Sequence, residues 1–502
     1  MEANGGAGMV AKTAGHLRPK GAPGRRLSTG VRLSDVLRGG GLRMEASYFS
    51  IEARRVLEEL RASGLPLISL YGENALCHES HNAFRFKRIF VSPEHGIPFL
   101  SSSDIISLRP ETDRYLSRKL SKKLDELVIQ PWDVLISCSG TIGNVGLASA
   151  GFVGKALSQD AIRLRAKDPN TAGYVAAFLR GRYGRPQLTQ ATYGSVVRHI
   201  EPEHLRKVSI PDLPLLRRND IGFRMVRAGE LRDRANELLD AANALLYESL
   251  NLPPLDSLPQ KPKGHISARV RASQLDWRFE GSFHDPLVRR AEEFLRGLPV
   301  EIATLGDARV TREIRPITKF RKRVYVREGG IPMLSSKQIF QVDPIDVKRL
   351  AKGAHTKDLD EIALEENMLL VTRSGTIGKV QIIPPHMQGW TASEHATRII
   401  AAKTLNPGYL YAWLASAYGI VFVKRHIYGS VILHIDKAML AAVPAPLPDG
   451  DTQDAIGDKV LKANRLRSEA WALEQEAIGA VDGMIGTVRL CSVGNGVDLS
   501  HG

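Results

Sequence analysis

The strongest constraint on the fold of this 502-residue sequence is an internal duplication that covers most of it. KRIFVSPEHGIPFLSSSDI (87–105) recurs as KRVYVREGGIPMLSSKQI (322–339), and LDELVIQPWDVLISCSGTIGNVGL (124–147) recurs as LDEIALEENMLLVTRSGTIGKVQI (359–382). SQDAIRL, GYVAAFL and YGSVVRHI (193–200) likewise recur as SEHATRI, GYLYAWL and YGSVILHI (428–435). The separation stays close to 235 residues over roughly 170 positions, too long for a solenoid repeat. The chain is therefore predicted to contain two domains of the same architecture.

Each copy has a mixed pattern of helix and strand. DVLISCSG and MLLVTRSG are strand-like apolar runs that end in a glycine turn. GYVAAFLRGRYG and GYLYAWLASAYG have the character of short helices, and both copies close with a proline-rich segment, 210–216 and 443–450. The prediction is an α+β, or mixed α/β, fold in each copy.

A long amphipathic segment follows each copy. Apolar residues in the first segment, 219–250, follow heptad spacing: Ala228, Leu231, Ala235, Leu238, Ala242 and Leu245. The second segment, 452–484, has the same spacing with one extra step of three: Ile456, Val460, Ala463, Leu466, Ala470, Leu473, Ala477, Ala480 and Met484. Helices of this length span about 48 Å. We expect them to pair as an antiparallel coiled coil with one globular domain at each end.

The expected domain limits follow from these patterns. They are a basic tail (1–30), a first globular domain (31–214), a central spacer helix (215–252), a proline-rich linker (253–266), a second globular domain (267–448), a C-terminal spacer helix (449–487) and a tail (488–502). The first 30 residues lie outside the repeat, are glycine-rich and basic, and are expected to be disordered.

Composition narrows the functional classes. The net charge of +15 favours a polyanionic partner, although residues 1–43 alone carry eight Lys or Arg against two acidic residues. There is no apolar run of membrane-spanning length and no secretory signal pattern. Cys77, Cys138 and Cys491 lie far apart and form no zinc-binding spacing. A cytoplasmic protein without a membrane partner is expected.

The duplicated SGTIG loop after an apolar strand, the YGS element before a proline-rich exit and the long helix after each copy resemble the specificity subunit of Type I restriction–modification systems. The resemblance covers residues 31–487. It implies two target recognition domains that each read half of a split sequence in double-stranded DNA. It also implies a non-catalytic scaffold for two methyltransferase subunits, with restriction subunits where the system also cuts DNA, in phage defence or DNA methylation. S-adenosylmethionine, ATP and Mg are then expected on partner subunits, and no cofactor on this chain.

The candidate DNA-binding residues are the basic pairs beside an aromatic residue, the residues in and next to the SGTIG loops, and the YGS elements. They are Lys87, Arg88, Ser139, Thr141, Tyr193, Ser195, Arg198, Lys322, Arg323, Arg373, Ser374, Thr376, Tyr428 and Ser430.

Each of these motifs has a structural alternative. The basic pairs could lie on a solvated face, and both SGTIG and YGS could be framework turns in which glycine adopts positive φ. Arg163 and Arg398 are shared by the copies, so they are predicted to be framework residues or phosphate contacts, whereas residues that differ between copies are better candidates for reading bases. His199 and His434 are predicted to be partly buried structural residues rather than catalytic ones.

Catalytic and metal-site motifs are missing from the sequence. SGTIGK (374–379) lacks the spacing of a phosphate-binding P-loop, and neither LPPL (252–255) nor IPPH (383–386) matches the motif of amino-methyltransferases. No metal site is predicted. Two alternatives stay open: a specificity-like adaptor of another defence or methylation complex, and a self-sufficient DNA-modifying enzyme.

Overall fold

The structure is a computed structural model. It describes residues 51–121, 123–190, 199–258, 269–275, 278–317, 323–355, 359–374, 377–429 and 433–493. The predictions for residues 1–30 and for most of the 253–266 linker lie outside these ranges.

Residues 51–211 form the first globular unit, which contains three sheets. A four-stranded sheet has the order β2-β9-β6-β7, a second has the order β3-β5-β4-β8, and β1 pairs with β10. Only the β4–β8 pair is parallel. The strands are β1 Leu67–Ser69, β2 Cys77–Asn82, β3 Phe90–Val91, β4 Gly96–Leu100, β5 Tyr115–Ser117, β6 Val134–Ser137, β7 Val145–Leu147, β8 Ala156–Leu157, β9 Ala161–Ala166 and β10 Ser209–Pro211.

Residues 286–447 form the second unit, whose topology repeats that of the first. Its sheets have the orders β12-β19-β16-β17, β13-β15-β14-β18 and β11-β20, so every strand has a counterpart in the first unit. The strands are β11 Glu301–Thr304, β12 Thr311–Pro316, β13 Tyr325–Val326, β14 Ile331–Leu334, β15 Lys348–Leu350, β16 Leu369–Thr372, β17 Val380–Ile382, β18 Thr391–Ala392, β19 Ala396–Ala401 and β20 Pro444–Leu447.

Ten α-helices complete the described part of the chain. Their bounds are α1 Ile51–Ala62, α2 Pro169–Arg180, α3 Arg185–Gln190, α4 Leu215–Ser249, α5 Pro286–Arg296, α6 Leu359–Ile362, α7 Pro407–Ala415, α8 Ala417–Arg425, α9 Lys437–Ala441 and α10 Gly450–Val493. We call α4 the central helix and α10 the C-terminal helix. The predicted mixed α/β fold in two tandem copies is confirmed.

The short helix after the last strand of the main sheet begins in the same way in both units. In α2 the Asp168 carboxylate accepts a hydrogen bond from the Thr171 N–H, and in α7 the Asn406 amide oxygen accepts one from the Gly408 N–H. Proline occupies the first helical position of both helices, where its missing N–H costs nothing. Both helices are buried, which explains why their sequences are apolar on all sides.

Glycine pairs let each of these helices cross a long helix at short distance. A Cβ atom at Gly222 of the central helix would lie 1.8 Å from the Asn170 carbonyl oxygen, and one at Gly173 would lie 2.4 Å from the Gly222 carbonyl oxygen. Gly408 and Gly457 repeat this contact in the second unit. These glycines are therefore required by backbone packing rather than by turn formation.

The central helix has 35 residues and the C-terminal helix has 44. They run antiparallel: Arg224 Nη1 lies 2.8 Å from Glu476 Oε2, whereas Asn236, further along the central helix, accepts a hydrogen bond from Arg467. Ala228 and Leu231 pack against Ala470 between these two contacts. At 1.5 Å per residue the helices span about 52 and 66 Å.

The predicted heptad positions are only partly correct. Leu238, Leu245, Ala480 and Met484 are half-buried, whereas Leu239, Leu246, Val481 and Ile485 are buried in their place. Leu466 and Leu473 are also half-buried, beside the buried polar residues Asn464, Arg467 and Glu474. The reason is that both helix ends pack into the globular units, so the buried stripe follows the 3.6-residue period of a helix in a globular core.

Each globular core contains one end of both long helices. The core of the first unit includes Ile221 and Met225 of the central helix and Val481 and Ile485 of the C-terminal helix. The core of the second unit includes the other ends, from Ala235 to Leu246 and from Ile456 to Ala463. The units thus occupy opposite ends of the helix pair, as predicted.

The units also contact each other directly, which the sequence did not predict. The Leu108 N–H donates to the Phe340 carbonyl over 3.0 Å, and the Val342 N–H donates to the Ile106 carbonyl over 2.8 Å. Leu108 and Val342 are equivalent positions of the repeat, as are Ile106 and Phe340. The two hydrogen bonds are therefore related by a pseudo-twofold axis, which passes between Ser107 and its equivalent, Gln341. We call this contact the inter-unit joint.

A buried ionic network ties the joint to the helix pair. Glu474 of the C-terminal helix accepts from Arg180 of the first unit at 2.7 Å and from Arg232 of the central helix at 2.6 Å. Arg180 also reaches Asp343 of the second unit at 3.1 Å. Burial alone would raise the pKa of Glu474, but the two guanidinium groups lower it to about 2. The network therefore stays charged at neutral pH and links both units to both helices.

The substitution Glu474→Gln tests this network. It leaves Arg180 and Arg232 buried without their carboxylate, so we expect the free energy of unfolding to fall by about 3–5 kcal/mol. Chemical denaturation of the full chain provides the measurement. The control Glu476→Gln, on the same helix but 57% exposed and paired with Arg224, should cost less than about 1 kcal/mol. Equal losses for the two variants would contradict the assigned role of Glu474.

A second buried contact attaches the β17–β18 connection to the C-terminal helix. The His386 ring stacks on the Trp471 ring, with centroids 4.7 Å apart and planes at 9°. The backbone N–H of His386 donates to Ser468 Oγ over 3.0 Å. Burial, with the positive charge of Arg232, lowers the pKa of His386 from 6.5 to about 4. This imidazole is therefore neutral in the folded protein at neutral pH.

The lowered pKa predicts an acid sensitivity that depends on His386. The folded state disfavours protonation, so the stabilising contribution is complete above pH 6.5 and is lost as the pH falls towards 4. In His386→Gln the decline in unfolding free energy over this interval should be smaller by on the order of 2 kcal/mol. Denaturation at stepped pH measures it, with His78→Gln, an exposed histidine, as the control. A pH profile in His386→Gln equal to that of the unaltered chain would contradict the prediction.

Candidate nucleic-acid interface

The SGTIG segment of the first unit is a tight turn between β6 and β7, and its equivalent lies between β16 and β17. In the first unit the Ser137 hydroxyl donates to the Thr141 carbonyl over 2.6 Å and accepts from the Asn144 N–H over 3.0 Å. In the second unit the Thr372 hydroxyl accepts from the Lys379 N–H and donates to the Lys379 carbonyl. Gly140, Gly143 and Gly378 have φ of 73°, 94° and 83°. The structural interpretation of these glycines is therefore correct.

The outer side of the first turn faces the second unit. Thr141 is exposed and Ser139 is half-buried. Both line a cleft of about 420 Å³ together with Ser103 of the first unit and Lys337 and Gln338 of the second. Hydroxyl, amide and ammonium groups thus meet at the boundary between the units, together with the carboxylate of Asp346.

The SGTIG and YGS motifs lie side by side in the second unit. Ser374 forms a β-bridge with His434, which in turn exchanges two backbone hydrogen bonds with Tyr428 over 2.8 and 2.9 Å. The Ser374 hydroxyl is buried and is hydrogen-bonded to His395 Nδ1. The Arg373 N–H donates to the His395 carbonyl over 2.8 Å. In the first unit Ser139 is likewise bridged to His199.

The second basic residue of each predicted pair is anchored within its own unit. Arg88 donates to the Gln159 side chain over 2.9 Å and lies 5.2 Å from the centre of the Phe99 ring. Arg323, its equivalent, is ion-paired with Glu394, the equivalent of Gln159. The two units therefore share the anchor, and each arginine has a carboxylate partner: Asp160 at 3.8 Å from Arg88 in the first unit and Glu394 in the second.

The basic segment of the first unit alternates in burial. The Phe84 and Phe86 ring centroids lie 5.6 Å apart, and those of Phe86 and Phe99 lie 6.5 Å apart, whereas Arg85 and Lys87 are exposed. This is the two-residue period of an extended chain.

A second basic run, which the sequence reasoning missed, packs beside this segment. The Ser117 N–H donates to the Ile89 carbonyl over 2.9 Å, and Lys123 Nζ lies 5.5 Å from the Phe84 ring centre. The first basic patch consists of exposed cations from both runs: Arg85, Lys87, Arg88, Arg118, Lys119 and Lys123. The sequence RKLSKK at 118–123 could have indicated this second basic run. Only the β3–β5 pairing, however, places the run beside Lys87.

The equivalent edge of the second unit is also basic. Arg327, Lys348 and Lys352 are exposed there, and Lys348 Nζ lies 5.2 Å from the centre of the Tyr325 ring. Phe90 and Tyr325 occupy equivalent positions and are 46% and 40% exposed. Each unit thus presents an accessible aromatic ring beside cations on its second sheet. This combination suits contact with nucleic acid.

The shared arginines Arg163 and Arg398 are framework residues in this structure. Arg163 donates to the Val128 carbonyl over 2.7 Å and also to the Glu126 carbonyl. Arg398 repeats the arrangement with the carbonyls of Ala363, over 3.0 Å, and Glu361. Both side chains hold the segment before the β6 or β16 strand, so the framework alternative is favoured over a phosphate contact.

Six of the candidate residues lie outside the described part of the chain: Tyr193, Ser195, Arg198, Lys322, Thr376 and Ser430. Of the other eight, Lys87, Arg88 and Arg323 lie at the basic sheet edges. The remaining five lie in or beside the SGTIG turns, where Ser374 is buried: Ser139, Thr141, Arg373, Ser374 and Tyr428. Their contact with DNA stays a prediction.

The described residues also bear on metal sites, membrane-spanning helices and reactive cysteines. Among them, no group of His, Cys, Asp and Glu is arranged to hold a metal ion, and no helix is long and apolar enough to cross a membrane. Cys77 and Cys138 are buried, and burial raises the pKa of the Cys138 thiol to about 12. Both thiols are therefore protonated and unreactive at neutral pH.

Duplicated units with basic sheet edges suit a protein that binds DNA, and a comparison of families points to the same class. Residues 313–467 match the family described as Type I restriction modification DNA specificity domain. This segment runs from strand β12 of the second unit into the C-terminal helix. This segment is therefore similar to a Type I restriction–modification DNA specificity domain, and the expected resemblance to specificity subunits of these systems is confirmed.

Three solved structures are similar over most of the chain. The S subunit of the Type I system from M. genitalium aligns at 12% identity, with 85% of this chain and 96% of that one covered and a TM-score of 0.31. The HsdS subunit from Thermoanaerobacter tengcongensis aligns at 14%, with 85% and 95% covered and a TM-score of 0.25.

A chain from a study of assembly and conformational transition of the type I R-M system aligns at 16%, with 84% and 98% covered and a TM-score of 0.26. A comparison with curated proteins gives no match.

The first basic patch predicts a measurable salt dependence. In the double variant Lys87→Ala/Lys119→Ala, we expect weaker binding to all duplex sequences alike, because exposed cations attract the phosphate backbone whatever the base sequence. The slope of log affinity against log salt should fall by about 0.9 for each lost contact. Fluorescence anisotropy over a salt series measures it. The control Arg55→Ala/Arg296→Ala removes two exposed arginines outside the patch and should leave the slope unaltered. An unaltered slope in the patch variant would place Lys87 and Lys119 on a solvated face.

Proposed function

We propose that this chain is the non-catalytic specificity subunit of a Type I restriction–modification complex, and that it reads a two-part target in double-stranded DNA. Each unit reads one half of the target, and the helix pair with the inter-unit joint fixes the separation of the halves. The observation that carries the proposal is the pseudo-twofold joint, since two equivalent basic edges held in fixed relation suit two half-sites a fixed distance apart on one duplex.

Differences between the units support reading of two unlike half-sites. Arg88 is hydrogen-bonded to Gln159 and lies 3.8 Å from Asp160, whereas Arg323 is ion-paired with Glu394, the equivalent of Gln159. Ser103 of the first unit is replaced by Lys337 in the second. Framework residues such as Arg163 and Arg398 are kept. A common frame with different exposed side chains is the arrangement expected of two readers with distinct targets.

The long helices offer surfaces for the partner subunits. Leu216 and Phe223 lie seven residues apart on the central helix and are 81% and 60% exposed, and Leu215 beside them is 60% exposed. Exposed apolar side chains grouped on one helix suit a protein partner. We assign two methyltransferase subunits to the helix pair, with restriction subunits joining in systems that cut DNA. S-adenosylmethionine, ATP and Mg then belong to those subunits.

A domain exchange tests the proposal. Residues 275–447 are replaced by the second recognition domain of a relative, with Phe340–Asp343 retained so that the joint and the Arg180 contact persist. When the chimera is expressed with methyltransferase subunits, we expect one half of the methylated target to change and the other half to persist, because separate units read them. Mapping of methylated adenines across the genome provides the measurement.

The reciprocal exchange of residues 51–211 is the matched control and should change the other half only. A change in both halves, or in neither, would show that the units are not separate readers. Methylation or cleavage of DNA by the purified chain alone would favour a self-sufficient enzyme. Specific DNA binding with no methyltransferase partner would favour an adaptor of another complex.

A further inference from the structure

A cleft of about 480 Å³ opens beside the helix pair, next to the inter-unit joint. Its apolar wall includes Leu239, Ala412 and Val460, and its polar lining includes Lys379 and Arg467. Ser107, Leu108 and Phe340 of the joint also border it. The volume lies in the range of sites that hold small organic ligands.

The pseudo-twofold axis relates this cleft to an equivalent site in which side chains occupy most of the space. On the other side, the equivalent cavity has only about 40 Å³ and is lined by Arg180, Arg232, Asp343 and Glu474, the members of the buried ionic network. The internal repeat therefore provides a direct comparison between a filled and an open version of one site.

The repeat substitutions explain why one side is open. Arg232 and Arg467 are equivalent and both are arginine, but Glu474, which neutralises Arg232, corresponds to Leu239. Ala415 stands at the position equivalent to Arg180, and Arg109 stands at the position equivalent to Asp343. The second side thus keeps the arginine and lacks the carboxylate.

Arg467 is consequently a buried charge without a counter-charge. It is 4% exposed, and its Nη2 donates to the Asn236 amide oxygen over 3.1 Å. The Tyr411 side chain is a further polar neighbour, but within the described ranges no carboxylate forms an ion pair with Arg467. Its Nε is buried without a hydrogen-bond partner. A guanidinium group stays protonated at neutral pH, so a bound anion would relieve the cost of burying it.

The carboxylates around the cleft are engaged elsewhere. Glu111 and Asp240 pair with Arg109 at 2.5 Å each, and their side chains are 65% and 66% exposed, so they lie at the mouth of the cleft. Asp104 lies 3.6 Å from Arg114. Lys379 is exposed, and among the residues that the structure describes it has no ion-pair partner; its Nζ lies 5.8 Å from the centre of the Phe340 ring. The inner part of the cleft therefore favours negative charge.

We propose that this cleft binds a small organic carboxylate, whose carboxylate group takes beside Arg467 the place that Glu474 takes beside Arg232. The planar guanidinium suits a carboxylate through parallel hydrogen bonds, and Lys379 supplies a second positive charge. The wall formed by Leu239, Ala412 and Val460 packs against the carbon skeleton. Because the joint borders the cleft, the bound ligand stabilises the relative placement of the two units.

The test titrates the full-length chain with succinate and citrate by isothermal calorimetry at constant ionic strength. We expect one of these probes to bind with a dissociation constant of about 1 mM or tighter. Arg467→Leu should weaken that binding at least about tenfold, because it removes the buried charge. Lys87→Ala/Lys119→Ala, which alters only the first basic patch, should bind the probe as the unaltered chain does.

A second variant keeps the test decisive if Arg467→Leu does not fold. Leu239→Glu places on the central helix the carboxylate that Glu474 supplies on the other side, so it should pair with Arg467 and abolish probe binding in a folded chain, as judged by circular dichroism. Failure of both probes to bind the unaltered chain would overturn the proposal. So would undiminished binding in folded Arg467→Leu or Leu239→Glu, or loss of binding in the basic-patch variant, which would assign the anion to the DNA-binding surface.

Discussion

The Glu474 carboxylate is the interaction on which the rest of the architecture depends. It is buried between Arg180 of the first unit and Arg232 of the central helix, while Arg180 reaches Asp343 of the second unit. One group thus fixes the register of two antiparallel helices and the position of each unit on them. A buried ionic network tolerates few other arrangements, because any displacement leaves charged groups without partners.

Duplication explains how such a molecule presents two equivalent surfaces from one chain. The joint at Ser107 and Gln341 and the paired glycine crossings repeat about one pseudo-twofold axis. Several exposed residues do not repeat, and neither do Glu474, Arg180 and Asp343 of the ionic network. Symmetry is therefore kept where backbone meets backbone, and it is relaxed at exposed side chains and around the ionic network. This division suits a protein in which a common frame carries two different specificities.

Much of the fold could be predicted from the sequence, but less of the candidate site. The repeat gave two units of one topology, and the spacing of apolar residues gave two long helices that pair. The heptad seam was partly wrong at Leu238 and Met484, because the helix ends belong to globular cores rather than to an isolated coiled coil. The patch residues Arg118 and Lys119 were missed, since strand pairing rather than sequence proximity places them beside Lys87.

The sequence by itself determined what local patterns encode: the duplication, the glycine turns of SGTIG, the capped short helices and the long amphipathic segments. Only the tertiary structure decided which charged groups meet. Arg232 and Arg467 are indistinguishable in the repeat, yet one is neutralised by Glu474 and the other lines an open cleft. The physical reason is that a buried charge is governed by side chains contributed across the helix pair, from positions more than 200 residues away in the chain.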